Sequence, residues 1–245
     1  MKKVLLTVIE NKALTESVYQ MKLQGDVSDV TASGQFVNIL LEGLYLRRPI
    51  SVCDCERGLL TIVYKVVGKG TEQMSRMKGG EVLDVLTGLG NGYDLTLAGQ
   101  EPLLLGGGVG VPPMFLLAKK LIAMGKKVTV ILGFNTKSEI FYEEEFKAIG
   151  ARVIVATADG SYGVKGFVTD AMKDLSYSYF YTCGPEPMLK AVYKASGTEG
   201  QFSFEERMGC GFGACMGCSC KTVTGYKRIC KDGPIMYKEE IAWDK

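Results

Sequence analysis

The stretch "ERMGCGFGACMGCSC", residues 206–220, places four cysteines and four glycines in fifteen positions. Disulfides, a zinc site, a catalytic thiolate and an iron–sulfur cluster are the chemistries open to such a segment. Cys210, Cys215 and Cys218 follow C-x4-C-x2-C, and Cys230 comes after eleven further residues. That is the plant-type [2Fe–2S] ligand spacing. Two irons and two bridging sulfides need four thiolates from one small patch, and Gly209, Gly211, Gly213 and Gly217 allow the backbone to wrap tightly around it. Backbone N–H groups can then point at the sulfurs and tune them. Cys220 breaks the pattern and reads as a bystander. Zinc in a four-cysteine site favours two C-x2-C pairs, and only Cys215/Cys218 makes one. A zinc knob and a set of inert buried thiols remain the competing readings.

The chain contains no histidine. This excludes Ser-His-Asp and Cys-His catalysis, Cys–His zinc fingers and Rieske centres. The absence of histidine also fits a chain in which no residue is catalytic in the acid–base sense.

Three further motifs could hold phosphates or rings. "LLLGGGVGVPPMF" runs from an apolar strand into Gly108-x-Gly110-x-x-Pro113, a dinucleotide-like glycine turn with proline at the helix start. Its bland alternative is a tight turn of an ordinary α/β domain. No clear ribose-reading acid follows the next strand, "VTVILGF", so the choice between NADH and NADPH stays open. "YTCGPEPM" places Cys183 at a strand end, either beside a ligand or as one more buried thiol. Arg48, Pro49, Ile50 and Ser51 pair a cation and a hydroxyl across a rigid step, and Gly70 and Thr71 open a short helix. A solvated arginine is the ordinary alternative. Cys53 and Cys55 share one face of a strand and read as structural thiols.

These residues need elements to position them. The 245 residues are 47% hydrophobic, enough for one large core or two modest ones. The net charge of +2 is well mixed, which argues against nucleic acid. The N-terminal apolar run stops at Glu10, too short for a signal peptide. The longest uncharged run, residues 102–118, carries glycines and a Pro-Pro pair unsuited to a membrane span. A soluble, cytoplasmic protein is expected, in which clustered thiols serve metals more readily than disulfides. Residues 1–98 read as closely spaced strands with glycine breaks, an antiparallel barrel or sandwich, interrupted by a short helix at 70–80. Residues 99–200 alternate strand and helix, the pattern of a parallel sheet with helices on both faces. Residues 201–245 carry the cysteines and a polar tail, too little for a core of their own.

Taken in order, Arg-Pro-Ile-Ser, Gly-Thr before a helix, G-x-G-x-x-P and Cys-Gly-Pro resemble the ferredoxin reductase superfamily. There an FAD-binding antiparallel barrel precedes an NAD(P)-binding α/β domain. The cysteine segment and "GYKRICKDGP" resemble one member family in particular, the electron transfer subunits of NAD-linked dihydroorotate dehydrogenase B. The resemblance spans nearly the whole chain. It implies that Arg48, Pro49, Ile50 and Ser51 hold FAD, with Arg48 near its pyrophosphate and Ser51 near the ring. Val63, Tyr64 and Lys65 would line the flavin, and Gly70 and Thr71 its phosphates. Gly108 and Gly110 would face NAD, with Cys183 near the reactive ring. Cys210, Cys215, Cys218 and Cys230 would hold the [2Fe–2S] cluster. It further implies an FMN-containing catalytic partner that oxidises dihydroorotate to orotate in pyrimidine biosynthesis, two of each chain per complex. Short loops around the barrel depart from relatives with insertions there. The nearest alternative keeps the module and changes the partner to a ferredoxin transhydrogenase, a sulfite reductase or a hydrogenase. A stand-alone flavin reductase and a zinc-binding adaptor are the more distant ones.

Overall fold

The computed structural model describes residues 1–243. The first unit is a closed antiparallel barrel of six strands: β1 (Lys2–Ala13), β2 (Val18–Gln24), β3 (Phe36–Ile39), β4 (Arg48–Glu56), β5 (Leu59–Lys65) and β6 (Val82–Leu89). Around the barrel the order is β1-β2-β5-β4-β3-β6. The period-2 pattern explains it. In β1, Val4, Leu6 and Val8 point into the barrel while Leu5 and Ile9 face outward. Helix α1 (Lys69–Ser75) lies between β5 and β6, as the sequence predicts.

The second unit is a seven-stranded sheet. Its strands are β7 (Leu103–Gly107), β8 (Thr129–Phe134), β9 (Arg152–Thr157), β10 (Val164–Lys165), β11 (Phe180–Cys183), β12 (Gly200–Ser203) and β15 (Ile235–Tyr237), in the order β10-β9-β8-β7-β11-β12-β15. Six are parallel, and β15 pairs antiparallel with β12. Helices α2 (Val111–Ala123), α3 (Glu143–Ala148), α4 (Val168–Met172) and α5 (Glu186–Ala195) make the crossovers. The strand order reverses between β7 and β11, and the crevice at such a switch point is where open α/β sheets bind ligands. Between β12 and β15 the chain leaves for the cysteine loop and a small hairpin, β13 (Ser219–Thr222) and β14 (Gly225–Arg228).

The boundary expected at residue 201 cuts through β12, and β15 lies in the same sheet. The cysteine segment is thus an excursion from the α/β unit. A piece without a core of its own is held by a strand at each end.

One core joins barrel and sheet. Val18, Cys53 and Val63 pack with Val111, Met114, Leu117 and Phe146. At its edge Gln20 Nε2 donates to the Tyr142 hydroxyl at 2.7 Å, and the Cys53 thiol lies 3.2 Å from the same oxygen. Lys119 Nζ from α2 reaches both Asp54 oxygens, at 2.8 and 3.0 Å, on β4. Among the described residues no helix is long and apolar enough to cross a membrane.

Candidate redox site

The cysteine loop folds against the barrel. Phe36 and Leu89 pack with Cys218, Ile229 and Cys230, and Asn38 Nδ2 donates to the Cys210 carbonyl at 3.4 Å. Gly211 sits where a Cβ would lie 2.3 Å from the Asn38 amide nitrogen, with φ at +79°, so glycine is needed there for space and for conformation.

The four expected ligand cysteines come together as two pairs. The backbone N–H of Cys210 points at Cys215 Sγ (3.4 Å), and those of Ala214 and Cys215 point at Cys210 Sγ (3.3 and 3.4 Å). In the second pair the N–H of Cys230 points at Cys218 Sγ, also at 3.4 Å. Partial burial works against ionisation of Cys210. The N–H groups of Phe212, Cys215 and Ala214 and the Cys215 thiol outweigh it and bring the Cys210 thiol down to about 6. Burial, then the Cys218 thiol, pushes Cys230 up to about 12. Cys215 is exposed and Cys218 and Cys230 are buried, so the loop presents one pair toward solvent and the other toward the barrel. Arg228 braces the arrangement. It makes two hydrogen bonds to the Asp232 carboxylate, at 2.9 and 3.1 Å, and one to the Gly213 carbonyl at 3.0 Å, tying the Cys230 arm to the Cys210 loop. Among the described residues no three His, Cys, Asp or Glu side chains stand close enough to hold one metal ion, but two pairs of thiols with N–H groups aimed at the sulfurs match the two thiolates per iron of a dinuclear cluster. Cys220 lies on β13, half-buried, its thiol raised first by burial.

On the next strand, Arg48 and Ser51 sit half-buried along β4, where Ser51 pairs with Phe36 and Pro49 with Asn38 of β3. The Arg48 guanidinium lies over Gly70, where a Cβ would fall 2.3 Å from Nε. Two motifs far apart in sequence thus meet in one cradle suited to a phosphate. The Thr71 hydroxyl is engaged with the loop itself, accepting from Val67 N at 2.9 Å and Gly68 N at 3.3 Å. Val63 and Tyr64 are buried, Tyr64 with its hydroxyl on Asn11 Oδ1 at 2.9 Å. Their side chains serve the cores, unlike that of exposed Lys65.

Lys65 joins Thr15, Ser17 and Val18 as the barrel wall of a cavity of about 610 Å³, whose opposite wall is the switch point of the sheet. Residues 107–110 form its floor. Gly108 has φ +52° and open space where a Cβ would go. A Cβ on Gly110 would meet the Cys183 carbonyl oxygen at 2.2 Å, so glycine turn and Cys-Gly-Pro turn are in backbone contact. Gly184 and Pro185 line the cavity, whereas Cys183 is 1% exposed, behind them, its thiol pushed up to about 12 by burial and then by Glu205. Volume and glycine floor fit a dinucleotide.

Sequence reasoning missed Glu139, Phe167 and Glu205, all on this wall. Glu205 follows β12, a strand with no signal read in the sequence, and desolvation raises its carboxyl above the usual range. Glu139 stands in the turn after β8, and an acid soon after the second strand was the signal available.

Residues 205–242 match the family described as the iron–sulfur cluster binding domain of dihydroorotate dehydrogenase B, and residues 104–194 match the oxidoreductase NAD-binding domain. Among solved structures, one described as an NADH-dependent reduced ferredoxin-NADP oxidoreductase, in work on flavin-based electron bifurcation, is 33% identical. It superposes with a TM-score of 0.89 over 98% of this chain and 91% of that one. A ferredoxin NADP+ reductase from Neisseria gonorrhoeae with bound FAD and NADP shares the fold at 17% identity, with a TM-score of 0.70 over 80% of this chain and 90% of that one. Two curated proteins named dihydroorotate dehydrogenase B (NAD(+)), electron transfer subunit, are similar over nearly their whole lengths. That of Fusobacterium nucleatum is 46% identical over 96% of each chain, and that of Bacillus pumilus 44% over 99% of each. The ferredoxin-reductase fold, the paired cluster thiols and this identity over full length agree, and the chain belongs to the family of dihydroorotate dehydrogenase B electron transfer subunits.

Proposed function

We propose that this chain is the electron-transfer subunit that carries electrons from dihydroorotate oxidation, performed on the FMN of a catalytic partner, through a [2Fe–2S] cluster and FAD to NAD+ in the cytoplasm. A complex of two of each chain is the expected assembly. When bound, flavin exchanges an electron pair with NAD as a hydride and single electrons with the cluster, which is why it belongs between them.

The observation that carries this reading is the adjacency of three sites. The Cys210/Cys215 pair, with Cys215 exposed and Cys210 half-buried, faces outward. The buried Cys218/Cys230 pair packs on Phe36, the β3 residue paired with Ser51. Lys65, at the end of the strand beside β4, opens into the dinucleotide cavity. Adjacent strands are about 4.8 Å apart, so cofactors held there sit in sequence. This chain's residues hold and shield. Cys210, Cys215, Cys218 and Cys230 ligate, Arg228 and Asn38 fix the ligand loop, and Arg48 with Gly70 and Thr71 cradles the FAD phosphates. Gly108 and Gly110 admit the dinucleotide.

The test is purification of the subunit with its partner under anaerobic conditions, followed by the variant Cys215→Ser. The expected outcome is a complex that reduces NAD+ with dihydroorotate, and a variant that keeps FAD but passes no electrons between the flavins. Undiminished NAD+ reduction by Cys215→Ser would sink the relay. A second reading, the same module serving a ferredoxin-linked partner, is favoured by the 33% identity to the ferredoxin-NADP oxidoreductase chain. It predicts co-purification with that partner and no turnover of dihydroorotate.

A further inference from the structure

The dinucleotide cavity has two ends, each with one glutamate on its wall. From the glycine floor after β7, one end runs toward β11 and β12, bounded by Gly184, Pro185 and Glu205. The other runs past β8 to Asn135, Glu139 and Phe167. A pyrophosphate over the central glycines leaves the reactive ring at the β11 end, beside the barrel, and the adenosine at the β8 end.

Glu139 closes the 3-10 turn Lys137–Glu139 and is fixed in place. Its Oε2 accepts from the Asn135 backbone N at 3.2 Å and from Asn135 Nδ2 at 2.9 Å. Among the described residues Oε1 has no hydrogen-bond partner. Among the described residues no cation lines this end, and Lys65, on the barrel wall, is the one cation lining the cavity. Lys137, two residues before Glu139, instead lies with Nζ 5.7 Å from the Tyr162 ring centroid. The next strand's acid, Asp159, is occupied by Ser161 N (2.9 Å) and Oγ (2.7 Å) and is not on the wall.

We propose that Glu139 is the residue by which this site selects NAD(H) over NADP(H). The proposal rests on the reading of the cavity as the dinucleotide site. A free carboxylate oxygen accepts a hydrogen bond from a ribose 2′-hydroxyl. The same carboxylate repels a 2′-phosphate, and among the described residues no cation lines this end of the cavity to offset that repulsion. Specificity here comes from a repulsive element as much as from an attractive one. Glu139 is half-buried on a surface turn, so its replacement leaves the cores intact.

The experiment uses the FAD- and cluster-loaded subunit. Calorimetric titration with 5′-AMP and with 2′,5′-ADP probes the adenosine end without electron transfer. Steady-state oxidation of NADH and NADPH with ferricyanide then gives kcat and KM. The wild type is expected to favour 5′-AMP and NADH. Glu139→Gln keeps the side-chain shape and removes the charge, and is expected to reduce both preferences by about tenfold or more, mainly through KM. Asp159→Asn is expected to leave the preferences in place. Retained binding with both ratios within about twofold of wild type in Glu139→Gln would overturn this assignment alone, as would a collapse of the ratios in Asp159→Asn. No saturable binding of either nucleotide to the wild type would overturn the reading of the cavity together with it.

Discussion

Replacing Gly110 by alanine adds one methyl group at the contact between the glycine turn and the Cys-Gly-Pro turn. With φ at −80° the backbone tolerates alanine, so the effect is purely steric. The new Cβ would lie 2.2 Å from the Cys183 carbonyl oxygen, 2.4 Å from its carbon and 2.6 Å from Gly184 N. These are backbone atoms of β11 and the turn after it, which no rotamer change can move. Relieving the contact to about 3.0 Å requires the two turns to part by roughly 0.8 Å, and overpacking of this kind costs about 1–3 kcal/mol. Both turns border the cavity, and a displacement near 1 Å at a reacting geometry costs about 100-fold in rate. The assay is anaerobic stopped-flow reduction of the bound flavin by NADH, with iron and flavin contents measured in parallel. Flavin reduction is expected to fall about 100-fold while both contents stay at wild-type levels. Gly125→Ala supplies the control. It has φ +77° and open space around its Cβ position. It therefore carries a left-handed strain of about 1–2 kcal/mol without touching the cavity. Wild-type flavin reduction in Gly110→Ala, with the fold intact, would refute the argument that these two turns set the dinucleotide position.

Two other expectations concern stability and the cluster. Burial opposes ionisation of Asp84, but hydrogen bonds from Lys3 and Arg47 outweigh it and hold its carboxyl below the usual range. A depressed folded pKa contributes stability that is present above the unfolded carboxyl value, near pH 4, and is lost as the pH falls through the folded one. Asp84→Asn should therefore be less stable than wild type at pH 7 and should flatten the acid limb below about pH 4 in denaturant titrations. An unchanged acid limb would mean that the Arg47–Asp84 pair contributes nothing. Arg228→Met removes the link between the Gly213 carbonyl and Asp232 and should lower iron per chain and speed cluster loss in air, with FAD content unchanged. Full iron retention would show that the cysteine loop needs no brace.

The sequence by itself determined the chemistry and the class of each unit. Thiol spacing is local, so C-x4-C-x2-C and the distal Cys230 were readable without coordinates. The closely spaced strands of residues 1–98 and the strand–helix alternation after residue 99 are local as well. Family resemblance then supplied roles that residue types alone left open, such as FAD at Arg48. The tertiary structure decided what depends on distance in space. It put the Arg48 guanidinium over Gly70, and Gly110 against Cys183. It buried Val63, Tyr64 and Cys183, which the family resemblance had placed beside ligands. It returned β15 to the α/β sheet, because a three-residue strand has no periodicity to read and exists only through its pairing with β12. It also brought Glu139 and Glu205, from the turns after β8 and β12, to opposite ends of one cavity. Local pattern fixes which elements form, since each is a matter of a few neighbouring residues. Which side chains share a site depends on strand order and on crossovers between elements far apart in the chain.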